Sequence, residues 1–407
     1  MCAAACCPFP TFRGFNRVAI PTLAATPRRS LPYMQADDLI PLWQDLVREA
    51  ASRGERIRIH GGNSKAPWWA AVQHTGMDTA EHTLDATLLS GITHFEPTEL
   101  VITARAGTPL TEIQAALAEH HQFLPFEPPH FARSGRATLG GMVASAMSGP
   151  ARISAGGVRD YVLGATLLSG KGEVLRFGGE VMKNVAGFDV SRLLCGSLGS
   201  LGVILDVSLK IMPVAPAETT LRFSMTQDEA ITRCNTWAAQ PLPLNASAWL
   251  PDRSAGTGKG MLTLRLRGAQ AAVQAAQARL GGERMAETEA AAFWTGLREQ
   301  TLPWFAPTWP GDSQAALWRL SLPSTAPALD LSGTQLVEWF GGLRWLISAA
   351  PAPIIHEAAR QTGGHATRFR GGDASAPVFD TAQATLLRIQ RNIKAAFDPH
   401  GVFPTLF

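Results

Sequence analysis

Residues 54–65 read GERIRIHGGNSK, and residues 196–203 read GSLGSLGV. These two stretches decide the fold, because neither is a common nucleotide-binding loop. GGNSK holds a lysine but lacks the GxxxxGK[ST] spacing that wraps a triphosphate. The second stretch spaces its glycines as GxxGxxG at Gly196, Gly199 and Gly202, not as the GxGxxG of a Rossmann turn. What the two share is bare backbone next to a strand. Ile57, Arg58 and Ile59 alternate as a short strand, and Gly61 and Gly62 then let the chain turn and approach a ligand. Successive N–H groups in such a turn form a nest for an anion, to which Asn63, Ser64 and Lys65 add short donors and a positive charge. A pyrophosphate suits that site; the plainer alternative is a surface turn with one lysine.

Between them, residues 137–164 read ATLGGMVASAMSGPARISAGGVRDYVLG, with glycines at 140, 141, 149, 156, 157 and 164. So much glycine argues against an ordinary helix and for backbone held close to a large flat ligand. The strands VLGATLLS and EVLRF follow, joined by a turn at Gly170–Gly172. In VILDVSLKI, Val203, Leu205, Val207, Leu209 and Ile211 alternate with less apolar residues, the pattern of a half-buried strand. Leu39, Trp43, Leu46, Val47 and Ala50 share one face of a helix over Asp38–Arg53 that Gly54 stops. A second helix is expected from Thr111, as its cap, to His120, with Ile113, Ala116 and Leu117 inward. The reading is α+β: two lobes, not a doubly wound sheet, with a ligand between them.

Here the chain resembles a known family. IRIHGGNSK, ATLGGMVASAMSG, VRDYVLGATLLSGKGEVLRFGG, KNVAGFDVSRLLCGSLGSLGVI and AFDPHGVF resemble the FAD-binding domain of the p-cresol methylhydroxylase/vanillyl-alcohol oxidase (PCMH-type) superfamily. KNVAGFD with GSLGSLGV is similar to FAD-linked 2-hydroxyacid dehydrogenases. SGPARISAGGVRDYVLG and GGHATRFRGGD narrow the resemblance to the FAD-binding E subunits of bacterial glycolate oxidase. It covers about residues 34–400 and is more specific in the first half.

The resemblance implies roles. His60, Gly61, Gly62, Asn63, Ser64 and Lys65 would hold the pyrophosphate. Thr138, Gly140, Gly141, Ser145 and Gly149 would line the cofactor, and Arg159, Asp160 and Val162 would pass near its adenine half or the flavin edge. Gly199, Gly202 and Val203 would close the site. Some relatives attach FAD covalently through a histidine in the first loop. Asn63 stands there, and an amide is no nucleophile, so non-covalent FAD is expected. The resemblance also implies a complex of a catalytic FAD subunit, this FAD subunit and an iron–sulfur subunit.

The implied organisation is a PCMH-type FAD-binding domain over 34–215, with lobes of about 34–97 and 98–215. A ferredoxin-like α+β cap follows over 216–390, then a tail, 391–407, that returns to the first domain. The family's usual ending differs from Pro404–Phe407 here, which leaves the anchoring of that terminus open. With 407 residues, 46% of them hydrophobic, a core for two domains is easily buried. No apolar run reaches the roughly 18 residues of a membrane span. Direct membrane insertion is therefore not expected; the expected place is the cytoplasm, peripheral to the inner membrane through the complex.

Residues 1–33 carry Arg13, Arg17, Arg28 and Arg29 and no acid; without them the net charge of +3 turns slightly negative, so no nucleic-acid partner is implied. The segment reads either as an Arg-rich targeting peptide or, the preferred reading, as a disordered or mis-translated extension upstream of Met34. Its removal is expected to be neutral. The five cysteines build no disulfide framework, and Cys2, Cys6 and Cys7 complete neither a zinc nor an iron–sulfur pattern, so no metal is expected.

Oxidising a 2-hydroxyacid needs a base for the hydroxyl proton, a cation for the carboxylate and the flavin beside the α-carbon. His120, His121, His130 and His356 have no sequence partner for this. His365 with Arg368, in GGHATRFRGGD, is a weak candidate against the alternative of a glycine-rich packing turn. Lys183 either places a charge near the flavin or pairs with Asp189. No paired His/acid motif stands in the cap. The expectation is therefore an FAD-binding subunit that oxidises glycolate to glyoxylate only within its complex, passing electrons to the iron–sulfur subunit. The alternative is a stand-alone FAD-dependent 2-hydroxyacid dehydrogenase. A flavin-free scaffold is disfavoured because the small residues facing the ligand are intact. The aromatic, proline-rich stretch around Pro303–Pro310 is the expected partner surface.

Overall fold

The structure, a computed structural model, describes residues 36–406 apart from 66–79, 132–134, 180–188, 253–257, 307–314, 374–375 and 381–383. The expectations for residues 1–33 and for Lys183 lie outside them. The helix Ala36–Arg53 buries Trp43, Val47 and Ala50 and ends at Gly54, whose φ of 69° suits glycine. It packs beside a parallel pair, β1 (Ile57–His60) and β2 (His82–Asp85). The chain end closes this layer. Val402 and Phe403 are buried in the same cluster, and Ile57 donates its N–H to Val402 O at 2.8 Å. Buried Asp398 accepts the N–H groups of Val402 and Phe403, each at 2.9 Å, and pairs with Lys394, which also donates to Ser200 O at 2.8 Å. The terminus is thus tied down just before Pro404.

The second layer is an antiparallel five-stranded sheet in the order β3-β4-β8-β6-β7. Its members are β3 (Ile92–Glu96), β4 (Val101–Arg105), β6 (Val162–Leu168), β7 (Val174–Gly178) and β8 (Val203–Lys210). A short ladder, β5 (Gln122–Phe123) with β9 (Met212–Pro213), stands apart. β3 pairs with β4 and so belongs to this sheet. β8 is buried on both faces, not one: Val203 and Leu205 join the cluster under the first helix, Ile204 and Val207 the opposite cluster. The helix Leu110–Glu119 begins at Pro109, not Thr111, and no side chain caps it; Ile113 and Leu117 face inward as expected, while Ala116 is half-buried.

The C-terminal part is an eight-stranded antiparallel sheet built of two similar halves. β10 (Ala217–Thr226), the helix Gln227–Ala238, β11 (Leu244–Pro251), β12 (Lys259–Gly268), the helix Gln270–Leu280 and β13 (Glu283–Arg284) stand in the order β13-β10-β12-β11. That is the ferredoxin-like arrangement. β14 (Ala316–Ser321), β15 (Thr334–Glu338), β16 (Leu343–Ser348), the helix Ala352–Gln361 and β17 (His365–Gly371) repeat it as β15-β16-β14-β17, without the first helix. The halves join through β11 and β15. The sequence suggested one such unit; its second copy was hidden because its first crossover, residues 322–333, is loop.

This sheet docks on the N-terminal lobes through polar contacts. Glu127 pairs with Arg265 and Arg267, Glu299 accepts the backbone N–H groups of His130 and Phe131, and Trp339 Nε1 donates to Gly149 O. The stretch expected to be an exposed partner surface turns inward. Trp304 and Phe305 are buried and stack edge-on, with Phe305 against Trp345. Two large aromatic rings beside an apolar sheet face bury far more favourably than they expose. Residues 307–310 lie outside the described residues.

Candidate functional site

A cleft opens where β1, β4 and β8 converge. It holds about 170 Å³ of free space and is open to solvent. β1 delivers Ile59 to one wall, and the loop Gly61–Lys65 continues it. Gly62 lies against the neighbouring chain: a Cβ there would stand 1.4 Å from Arg136 O. Gly61 and Gly62 do not adopt a left-handed angle; Asn63 does, with φ 51°. Asparagine tolerates that region better than most residues, which is what its place in the loop requires.

The second wall is the helix Leu139–Ser145, which runs through Gly140 and Gly141. The glycine content argued against a helix here, yet one forms. Thr138 caps it, its Oγ1 accepting the Gly141 N–H at 3.3 Å. A Cβ on Gly140 would meet that of Ala106 at 2.8 Å. Close packing on the end of β4 overrides the propensity cost of about 1 kcal/mol per glycine. The third wall comes from Leu198, Gly199, Gly202 and Ile204. Gly202 needs its φ of 141°, and a Cβ there would lie 2.3 Å from Leu168 O.

Ser64, Ser145 and Thr138 supply hydroxyls, and no carboxylate among the described residues lines the cleft. Lys65 is the one charged residue among the described residues that line it, and it is only 8% exposed. Burial pushes its pKa down to about 8, against the opposing pull of Glu299. A small-residue cradle with donors and one buried cation fits a diphosphate, and its apolar floor of Ala86, Ala106 and Ala144 fits a flat ring system.

Eleven of the residues proposed from sequence thus meet in one wall system: Gly61 to Lys65, Thr138, Gly140, Gly141, Ser145, Gly199 and Gly202. Others do not line it. Strand alternation turns His60 away from Ile59, and Val203 away from Ile204 into the core beneath the first helix. Val162 is buried in the sheet core. Gly149 lies under the cap, where a Cβ would meet Glu127 O at 2.4 Å. Arg159 and Asp160 are exposed, and Asp160 accepts the N–H of Gly157, closing its own turn. Ile59, Ala86, Ala106, Ala144, Leu198 and Ile204 were missed; alternation along β1 and β8 signals Ile59 and Ile204, while the alanines show only once β4 is placed.

The proposed carboxylate pair does not form a pocket. His365 is exposed at the start of the edge strand β17. Arg368 donates to Gly371 O at 2.9 Å and Ala376 O at 3.0 Å, and Arg370 to Phe305 O at 2.9 Å. The GGHATRFRGGD segment is a packing element, its arginines held by backbone carbonyls. No group of His, Cys, Asp or Glu that would hold a metal occurs among the described residues.

Comparison with known proteins bears on this cleft. A family model described as FAD binding domain matches residues 43–178. The chain is 45% identical over 357 residues to glycolate oxidase subunit GlcE of Escherichia coli (strain K12), spanning 88% of this chain and 93% of that protein. It is 26% identical to a D-2-hydroxyglutarate dehydrogenase of Xanthomonas citri pv. viticola over 52% of this chain and 43% of that enzyme. To glycolate oxidase subunit GlcD of Bacillus subtilis (strain 168) it is 29% identical over 33% of this chain and 28% of that one. Among solved structures, an alkyldihydroxyacetonephosphate synthase superposes with a TM-score of 0.60 at 14% identity, over 88% of this chain and 73% of that one, a likeness of fold alone.

Proposed function

The chain belongs to the glycolate oxidase subunit GlcE family, and from that premise we propose that it is the FAD-binding subunit of a multi-subunit complex that oxidises glycolate to glyoxylate. The observation that carries the cofactor assignment is the cleft: a glycine-walled cradle with, among the described residues, one buried lysine and no acid. Bound FAD supplies the two-electron chemistry that removes hydride from an alcohol carbon. This chain's residues bind and orient it: the Gly61–Lys65 loop and Lys65 would take the diphosphate, and the small-residue walls would admit the ring. The partners of the reading are a catalytic FAD subunit and an iron–sulfur subunit. No helix among the described residues is long and apolar enough to cross a membrane, which supports attachment, if any, through those partners.

One experiment tests both cofactor and role. The purified chain is precipitated with acid and, separately, mixed anaerobically with glycolate. All flavin is expected in the acid supernatant, since Asn63 offers no covalent bond. The flavin of the chain alone is expected to stay oxidised with glycolate and to be reduced once the partner subunits are added. Flavin in the pellet defeats the non-covalent assignment; rapid reduction in the isolated chain defeats the dependence on partners and favours a stand-alone dehydrogenase.

Lys65 makes a pH-dependent prediction. Burial, partly offset by Glu299, pushes it down from 10.5 to about 8. A diphosphate favours its charged form, so binding above that value must take up a proton. FAD affinity is expected to be flat below about pH 8 and to fall by up to about tenfold per pH unit above it. Lys65→Met should weaken binding and flatten the slope. A titration of FAD affinity in which the slope survives Lys65→Met assigns the effect elsewhere. The sign for folding is opposite: unfolding binds a proton between about 8 and 10.5, so Lys65 makes the chain more stable as pH rises through that window.

A further inference from the structure

The walls of the cofactor cleft differ in what holds them. The third wall, from Leu198 to Gly202, is nearly bare backbone: Gly199 and Gly202 hold φ angles of 79° and 141°, and Leu198 one of 51°. Glycine backbone of this kind is the freest to move when nothing fixes it. On one side this wall is tied to the cleft helix. Gly196 donates its N–H to Val143 O at 3.1 Å, and Leu198 donates to Ala144 O at 2.9 Å. On the other side it is reached by Lys394, near the end of the helix Ala384–Phe397, which donates to Ser200 O at 2.8 Å.

Lys394 is fully engaged. An ammonium carries three N–H donors, and acceptors from three segments meet this one: Ser200 O, Phe403 O at 3.1 Å and the carboxylate of Asp398. Asp398 is buried and also accepts the N–H groups of Val402 and Phe403, each at 2.9 Å. It is held against the turn between β6 and β7. Gly170 donates its N–H to Phe397 O at 3.0 Å, and a Cβ on Gly170 would stand 2.2 Å from Asp398 Oδ1. The same stretch of chain holds the first wall. Val402 O accepts the N–H of Ile57 at 2.8 Å, at the start of the strand that runs into Gly61. Residues 394–403 thus hold the cleft from two sides, although Lys394, Asp398, Val402 and Phe403 do not line it.

We propose that residues 394–403 form a clasp that sets the gap between the first and third walls, and that Lys394 is a positioning residue for the cofactor. The proposal rests on the reading of the cleft as the FAD site. A wall already held in place loses little freedom when the cofactor arrives, which is the advantage of preorganisation. Lys394→Met removes the tie to Ser200 while keeping a long apolar stem along the helix. Asp398 keeps its two backbone N–H groups, so the tie to the first wall survives. The freed third wall must then be ordered by the cofactor itself. Coupling between two places on a protein is reciprocal, so FAD tightens the clasp as the clasp tightens FAD.

The test uses the full chain, wild type and Lys394→Met, each stripped of flavin and titrated with FAD at a temperature where both are folded. The variant is expected to bind FAD about tenfold or more weakly, the worth of a hydrogen bond from a charged donor. A residue that only stabilises the fold would lower the melting temperature and leave the affinity of the folded chain at the wild-type value; that result overturns the proposal. If Lys394→Met does not fold, hydrogen exchange on the wild type replaces it. FAD is expected to slow exchange at the N–H groups of Ile57, Val402 and Phe403, none of which lines the cleft. The slowing should exceed that at Leu346 and Ile347 in the cap sheet, which follow global stability alone. Equal slowing at both sets, or none at the first, overturns the clasp. A wild-type chain that takes up no FAD defeats the cofactor reading and the clasp with it.

Discussion

Glu127→Gln is expected to destabilise the chain by about 3–5 kcal/mol, the cost of stranding a buried partner charge. The carboxylate of Glu127 is held by Arg265 through two contacts of 2.7 Å, by Arg267 at 3.2 Å and by the N–H of Ala151 at 3.2 Å. Glu127 belongs to the N-terminal lobes and both arginines to β12, so this cluster joins the cap to them. Arg265 is almost wholly buried, with its guanidinium over Trp294 at 4.8 Å and its Nε donating to Asn245 Oδ1 at 2.6 Å. It has no route to solvent when its counter-ion becomes an amide.

The pH sign of this cluster follows. Burial raises the Glu127 pKa, but Arg265 and Arg267 more than offset that and leave it below the ordinary carboxylate value. Its stabilisation is therefore complete above the unfolded value of about 4.5 and is lost as pH falls through the lower folded one. Denaturant unfolding of wild type and variant, at neutral pH and in acid, measures both. The difference should shrink in acid, and Glu127→Gln with Arg265→Met should recover part of the loss. A loss under about 1 kcal/mol at neutral pH would show the pair to be solvated in solution.

The parts of this molecule that were legible in its sequence are those written in local pattern. The 3.6-residue stripe of Trp43, Val47 and Ala50, the alternation of β1 and β8, and the bare glycines of two loops sufficed for the lobes and for most of the cleft. The resemblance drawn from the same motifs holds, given the family to which the chain belongs. What failed depends on distance. Gly140 and Gly141 read as helix-breaking until Ala106 is seen to press on them. Trp304 and Phe305 read as an exposed anchor because no sequence pattern announces the sheet face that covers them. Glu127 and Arg265 lie 138 positions apart, and nothing near either signals the other. His365 and Arg368 drew notice because they are close in sequence, but Arg368 is held by the carbonyls of Gly371 and Ala376.

Gly62→Ala is expected to give a chain that purifies without FAD, and Gly61→Ala one that keeps most of it. The two glycines are adjacent in the same loop and line the same cleft, but their surroundings differ. A methyl on Gly62 would overlap the Arg136 carbonyl at 1.4 Å, and that atom belongs to the backbone that leads directly into Thr138 and the cleft helix. Neither side can yield without the Gly61–Lys65 loop separating from the helix wall. Overpacking of this kind costs about 1–3 kcal/mol in folding, but it strikes binding harder, because it pulls apart the two walls that would grip the diphosphate. A methyl on Gly61 meets only Thr138 Oγ1, at 3.2 Å, and that hydroxyl can shift by a few tenths of an ångström while still capping its helix. Flavin content per chain and melting temperature, measured side by side for both variants, separate loss of the cleft from loss of the fold. Full flavin in Gly62→Ala at an unchanged melting temperature would mean that the loop and the helix are not in contact as described, and that the cleft does not depend on their approach.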